Sequence, residues 1–395
     1  MDVQLSKRVQ LIKPSPTLAV TARAAALKAQ GKDIIGLGAG EPDFDTPEPI
    51  KQAAIKAIQA GFTKYTAVDG TPSLKQAIVD KFHRENGLDY TSDQVLVSVG
   101  GKHSFYNLAQ ALLNPGDEVI IPAPYWVSYP DMVLLAEGVP VIVYAGIEQK
   151  FKITPQQLED AITPRTRLFV LNSPSNPTGA IYTRDELAAL GVVLRRHPQV
   201  MIASDDIYEH ILLNDMPFCN ILNVCPELAA RTIVINGVSK SYSMTGWRIG
   251  YAAGSKPLIA AMKNIQSQST SNPASISQAA AQAALEGDQS FMRDWIRQFR
   301  ERHDFVLDAL NKIQGVRCLS SPGAFYSFPS MQGVIDHRHM KDDVELAEYL
   351  LNEIGVALVP GSAFGAPGYM RLSFATSMEN LRDALARMQK LLGAV

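Results

Sequence analysis

The sequence has 395 residues, 46% of them hydrophobic, and a formal net charge of −2, which predicts two globular units with ample apolar content for a large core. No dense Lys/Arg block and no apolar run of the ~18 residues a membrane span needs occurs, so neither a nucleic-acid partner nor a membrane is expected. Three cysteines (Cys219, Cys225, Cys318) without a CxxC pair, and seven scattered histidines without metal-ligand spacing, argue for a reducing, cytoplasmic setting and against a disulfide framework or a metal centre.

In chain order, Met1 to Ser15 is polar and basic with no apolar centre, so no signal peptide is expected. Pro14 and Pro16 hold an extended arm, and the Ala-rich Thr17 to Gln30 favours a helix. Ile34 to Phe44 reads as a brief strand running into a glycine loop around Gly40, where backbone can approach a ligand or simply turn. Helices are expected over 47–60 and 72–85, each with proline near its start. Strands at 95–99, 118–121, 139–144, 168–172, 200–203, 231–236 and 249–253 then alternate with helices at 103–113 and 183–196. Near-continuous apolar strands separated by helices predict an α/β fold, a mostly parallel sheet covered on both faces. Beyond Ser255 a helix to Gln268, a Ser/Thr-rich loop and one long proline-free helix over 276–313 are expected. A smaller α+β unit follows, with strands at 316–319, 324–328, 355–359 and 369–374 and helices at 342–353 and 377–392. The boundary falls inside the long helix.

Polar residues gather at the ends of the central strands. Thr232 to Ile235 runs into the turn Asn236-Gly237, then into Lys240 among small and hydroxyl residues, with Arg248 eight positions on. Strand and turn alone favour an ordinary surface lysine. A lysine at the C-terminal end of a strand in an open α/β sheet, however, projects into the crevice where such sheets bind ligands, and desolvation would make its amine nucleophilic. Asp205 and Tyr208 stand just past another buried strand. A buried carboxylate there needs a cationic partner, although a helix N-cap would also explain it. Asn176 lies in Asn-Pro-Thr-Gly, which suits a turn as well as a site. Gly100-Gly101-Lys102 opens a helix after a strand and presents backbone N–H groups that suit a phosphate. Together they supply what a pyridoxal phosphate site needs: an amine, a carboxylate for the ring nitrogen, a phenol and an amide for the ring oxygen, and an anion cradle with an arginine.

Ala39-Gly40-Glu-Pro-Asp-Phe, Tyr65-Thr66, Pro124-Tyr125-Trp126, Asn172-Ser-Pro-Ser-Asn176-Pro-Thr-Gly, Ser204-Asp205-Asp206-Ile-Tyr208, Ser239-Lys240 through Arg248-Ile-Gly-Tyr, Val359-Pro-Gly-Ser-Ala-Phe and Arg371-Leu-Ser-Phe-Ala-Thr-Ser occur in this order. In these motifs the chain resembles the fold-type I, class I pyridoxal-phosphate-dependent aminotransferases over essentially its full length, and within them the bacterial aspartate/prephenate branch. The resemblance implies a seven-stranded-type large domain over 46–290 and a small domain built from 1–45 and 291–395. It implies a homodimer with shared sites. Lys240 is then the Schiff-base lysine. Asp205 pairs with the ring nitrogen, Tyr208 and Asn176 contact the ring oxygen, and Trp126 stacks on the ring. Gly101, Lys102 and Arg248 surround the phosphate, and Tyr65 reaches the phosphate in the partner subunit. Arg371 forks onto the substrate α-carboxylate, with Gly40 and Asn176 nearby, and Asp206 points away from the ring. The implied activity is ping-pong transfer of an amino group between an amino acid, aspartate or glutamate foremost, and a 2-oxo acid, with prephenate possible. Aromatic or broad specificity, or a lyase reaction on the same cofactor, are the rivals. The stretch Ser267 to Pro273 lacks the arginine that grips a distal carboxylate in some relatives; Lys13, and secondly Lys102, match alternative readers.

Overall fold

A computed structural model describes residues 3–12 and 14–393. Strand β1 is Ile35–Gly36 and β2 is Val95–Ser98; β3 to β8 are Glu118–Ala123, Val139–Tyr144, Thr166–Asn172, Met201–Asp205, Thr232–Gly237 and Gly250–Ala253. Strands β2 to β8 form one seven-stranded sheet in the order β2-β8-β7-β6-β5-β3-β4. Only β8 runs antiparallel to its neighbours.

Alternate side chains build two separate cores. Val95, Val97, Phe169, Leu171, Ile202, Val234 and Tyr251 face one way, against helices Glu48–Gln59, Pro72–Lys81, Arg184–Arg196 and Ser275–Glu286. Leu96, Leu168, Val170, Ala203, Ile233, Ile235 and Ala252 face the other, against helices Gly101–Leu112, Ser128–Leu135 and Lys256–Ser267. A strand buried on both faces has no room for polar residues until its end. The register pairs Asn172 with Asp205 and Asp205 with Ile235, so the carboxyl ends of β5, β6 and β7 open together onto one crevice.

A further core gathers helices Phe291–Asn311, Asp343–Ile354 and Met378–Leu392 around short strands. These are β9 (Tyr326–Ser327), β10 (Val356–Ala357), β11 (Val359–Pro360) and β12 (Met370–Ser373), with β11-β12-β9 antiparallel. β1 pairs in parallel with β10, which ties the N-terminal segment to this unit.

Several expectations are corrected. The long helix over 276–313 is two helices, Ser275–Glu286 and Phe291–Asn311. The first ends at Gly287, and Asp288 accepts from the Ser290 amide at 3.0 Å and hydroxyl at 2.5 Å, a side-chain turn that competes with helix continuation. The expected strand at 316–319 is reduced to one bridge between Arg317 and Ser330, and that at 355–359 is split by Leu358 into β10 and β11. The helix starting at Pro72 passes at Lys81 into a π-helical turn over Phe82–Asn86, stopped by Gly87 at φ 62°. Helices Lys7–Leu11, Ser128–Leu135, Pro155–Ala161 and Gln332–His337 were not expected. Among the described residues no helix is long and apolar enough to cross a membrane.

Candidate active site

The crevice holds a cavity of about 350 Å³, lined by Gly40, Gly101, Lys102, Trp126, Asn176, Asp205, Tyr208, Lys240, Arg248 and Arg371. All ten stand among the residues singled out in the sequence. Tyr65 does not reach it: that ring is 91% exposed, on a surface shared with Thr63, Asn272 and Ile276. Lys13 lies outside the described residues.

Lys240 sits in the turn after β7, and its Nζ donates to the Gly40 carbonyl at 2.5 Å. Burial, aided by the nearby Arg371 and Arg248 and opposed by Glu41, lowers its pKa from 10.5 to about 8. This is the sense that favours a nucleophilic amine near neutral pH. Asp205 ends β6. Its Oδ2 accepts from the Tyr129 hydroxyl at 2.5 Å and its Oδ1 from the Ile207 amide at 3.3 Å. Burial outweighs those two bonds and Lys240, and raises the carboxyl to about 6. No helix follows Asp205, so the N-cap reading falls. Asp206 turns the other way, accepting from Ser204 and Asn220 inside the protein.

At the opposite wall, helix Gly101–Leu112 starts with no side-chain cap. Gly100 adopts φ +85°, and any Cβ there would overlap the Arg248 guanidinium. Arg248, itself left-handed at φ 58°, donates to Thr245 O at 2.9 Å and Val99 O at 3.3 Å. Uncapped amides, a helix N-terminus and a guanidinium converge there as an anion cradle. Lys102 Nζ lies 5.2 Å from the centroid of the Trp126 ring, and burial and then Arg248, opposed by Asp131, lower its pKa.

Arg371, on β12, is almost fully enclosed. Its guanidinium is layered between Tyr326 and Phe364, 4.5 and 4.9 Å from the ring centroids. Nη1 donates to Asn176 Oδ1 at 2.9 Å and Nη2 to Gly38 O at 2.7 Å, while Nε has no partner. A buried orphan donor on a fork facing a cavity fits an incoming carboxylate. Asn176 is itself placed by Asn172, whose Oδ1 accepts from its amide at 2.9 Å.

Sequence reasoning missed Tyr129, Tyr326, Ser15 and Thr17. Tyr129 is buried on an unexpected helix and reads as a core aromatic. The Tyr326 hydroxyl meets that of Tyr208 at 2.8 Å. Thr17 lines the cavity with a buried Oγ1 that has no partner. The spacing of Tyr129 three residues after Trp126 was the available signal: on a helical turn both face the same way.

The donor set, a buried carboxylate, an amine of lowered pKa and an anion cradle across one cavity, fits a phosphorylated pyridine aldehyde. The family model for class I and II aminotransferases matches residues 32–388. The chain is 63% identical to the aspartate/prephenate aminotransferase of Nitrosomonas europaea, covering 99% of this chain and 100% of that one. It is 59% identical to the aspartate/prephenate aminotransferase of Cereibacter sphaeroides over 98% of each. Among solved structures, the aspartate aminotransferase from Rhizobium meliloti superposes with a TM-score of 0.94 at 50% identity, covering 98% of each chain. That from Thermus thermophilus with maleate gives 0.92 at 45% identity, covering 99% of this chain and 100% of that one.

Proposed function

The chain belongs to the class I and II aminotransferases, and from that premise we propose that it moves the amino group of aspartate or glutamate to a 2-oxo acid, prephenate among the acceptors. It is a pyridoxal-phosphate-dependent aminotransferase. The cofactor, when bound, supplies an aldehyde that captures an amine and an electron-poor ring that takes up the electrons of a broken Cα–H bond. The chain supplies the rest. Asp205 would pair with the ring nitrogen, Tyr208 and Asn176 with the ring oxygen, and the Gly101 amide with Arg248 would hold the phosphate. Arg371 fixes the substrate α-carboxylate. The Lys240 amine, with its pKa near 8, would carry the proton from the donor Cα to the cofactor's former aldehyde carbon, and in the second half-reaction from that carbon to the Cα of the new amino acid, so the same base serves both directions. The observation that carries this reading is that Lys240, Asp205 and Arg371, from three separate elements, face one cavity.

Lys13 and Lys102 are proposed as readers of a distal carboxylate. Support comes from the cavity position of Lys102, from the unpartnered Thr17 hydroxyl, and from the Thermus relative described with maleate, a dicarboxylate. The exposure of Tyr65, away from its own chain's cavity, supports a homodimer in which it serves the partner's site. Three buried free cysteines support a cytoplasmic location. The separate cores support a large unit over 46–290 and a small one from 1–45 with 291–395.

Borohydride treatment of the cofactor-loaded protein followed by peptide mapping is expected to label Lys240; label on another lysine overturns the assignment. A panel of amino donors against 2-oxoglutarate, oxaloacetate and prephenate then sets the substrates. Lys13→Ala should cost roughly 10- to 150-fold in kcat/KM on aspartate and prephenate, the worth of one charge-assisted hydrogen bond, and little on a neutral aromatic donor. Equal losses on all three would place the reader elsewhere.

A further inference from the structure

Behind the cavity, on the far side of the turn that carries Tyr208, lies a buried ionic cluster that the reaction above does not use. Lys81, at the end of helix Pro72–Lys81, is wholly enclosed. Its Nζ makes a close ion pair with Glu209, donates to Asn86 Oδ1 at 2.8 Å and stands 3.7 Å from Glu85. Glu209 also accepts from Asn236 Nδ2 and Asn86 Nδ2, both at 2.7 Å. His210 bridges Glu85, at 2.9 Å, and the Ser241 hydroxyl, at 3.0 Å. The Glu85, Glu209 and His210 ligand atoms lie within 4.8 Å of one another, but the Lys81 ammonium already supplies the positive charge there. Burial pushes both carboxyls up; His210 and Lys81 reverse this, holding Glu85 at about 2 and Glu209 below the ordinary glutamate range.

The cluster touches the site through the chain itself. Glu209 and His210 directly follow Tyr208, Asn236 is the penultimate residue of the strand leading to Lys240, and Ser241 directly follows Lys240. As a source of stability, a buried ion pair is poor compared with an apolar pair of the same volume, because both charges must leave water. What charge supplies is direction. The two oxygens of Glu209 are engaged by three donors from two segments, Lys81 and Asn86 on one helical run and Asn236 on β7, which leaves that side chain a single arrangement. We propose that Lys81 and Glu209 are positioning residues for the aminotransferase reaction: Lys81 fixes the Glu209 carboxylate, and through Asn236 that carboxylate ties the Tyr208 turn to the strand leading to Lys240, so that phenol and amine meet the cofactor at a fixed separation. This rests on the family reading above.

The test is the double variant Lys81→Met/Glu209→Gln, which removes both charges yet leaves the amide introduced at position 209 able to accept from one asparagine and donate to Asn86. On the loaded enzyme, kcat is expected to fall roughly 10- to 100-fold, as for misplacement by about an ångström, with a smaller change in KM. The pH midpoint of the bound cofactor's visible absorption is expected to move, and the apoprotein to bind pyridoxal phosphate more weakly. The melting temperature should stay within about 4 °C of the parent. Parental kcat and midpoint would make the pair merely structural and overturn the proposal, whatever the melting temperature. Should the double variant fail to fold, Glu209→Asp keeps the charge and shortens its reach; it must show the same displaced midpoint and reduced kcat, and parental values overturn the proposal. If neither variant folds, the pair is a folding requirement and the proposal also falls. The parent is measured alongside: absence of visible absorption or of transamination in it would fault the family reading instead.

Discussion

Replacing Lys240 by methionine should stabilise the apoprotein while abolishing turnover. Burial, aided by Arg371 and Arg248 and opposed by Glu41, lowers the pKa of the amine from 10.5 to about 8. That fall corresponds to roughly 3 kcal/mol of disfavour for the charged form. The side chain is only partly buried and faces a cavity, so screening trims the figure to about 2 kcal/mol. Between pH 8 and 10.5 the unfolded chain holds a proton that the folded chain has released, so parental stability climbs through this window. Methionine fills a similar volume and does not titrate. The variant's advantage should therefore be largest, about 2 kcal/mol, below pH 8 and vanish by about pH 10.5. Urea unfolding of both apoproteins, at equal concentration and at pH of about 7, 9 and 10.5, measures the gap. A gap that stays constant or widens with pH, or a variant less stable than the parent at neutral pH, would refute the account of Lys240 as a strained, desolvated amine.

Other outcomes follow from single contacts. The parent's affinity for pyridoxal phosphate should fall as pH drops through about 6, where Asp205 takes up a proton and can no longer pair with a ring cation. Tyr129→Phe removes the 2.5 Å hydrogen bond that opposes burial, so the fall should begin at higher pH, with roughly tenfold weaker binding above it by equilibrium dialysis; identical curves would free Asp205 from Tyr129. Gly100→Ala forces a side chain onto φ +85° and into Arg248. A loss of about 1–3 kcal/mol together with weaker cofactor binding is expected in thermal unfolding and titration, and a parental cofactor affinity would disprove the anion cradle. Arg371→Lys keeps the charge but loses the fork, and kcat/KM for every amino donor should drop roughly 10- to 150-fold; a drop confined to acidic donors would reassign Arg371 to the distal carboxylate.

The sheet and its site were legible because the relevant signals are local. Apolar runs such as Leu168 to Leu171 and Ile233 to Ile235 end abruptly in Asn172 and in the turn before Lys240, and parallel sheets place such endings in one crevice. The order of the seven strands was not legible, because it is set by which strands pair and not by any one of them. What escaped depends on partners distant in the chain. Nothing near Lys81 announces Glu209, 128 positions away, and nothing near Tyr129 announces Asp205. The short strands of the smaller unit exist by pairing, not by propensity, so 316–319 looked as good a strand as 369–374. At Gly287 the helix signal continued on both sides, and only the Asp288–Ser290 turn breaks it.

The layering of Arg371 between Tyr326 and Phe364 has a thermodynamic consequence. A free arginine side chain carries about 2 kcal/mol of rotamer entropy, which a flexible clamp would lose at each encounter with substrate. Here the rings and the acceptors Asn176 and Gly38 have already removed it, so the loss is charged once, to folding. Carboxylate capture should then appear in calorimetry with a small ordering term from the protein. Trimming either ring to alanine should move that term toward unfavourable entropy while leaving the charge of the clamp unchanged.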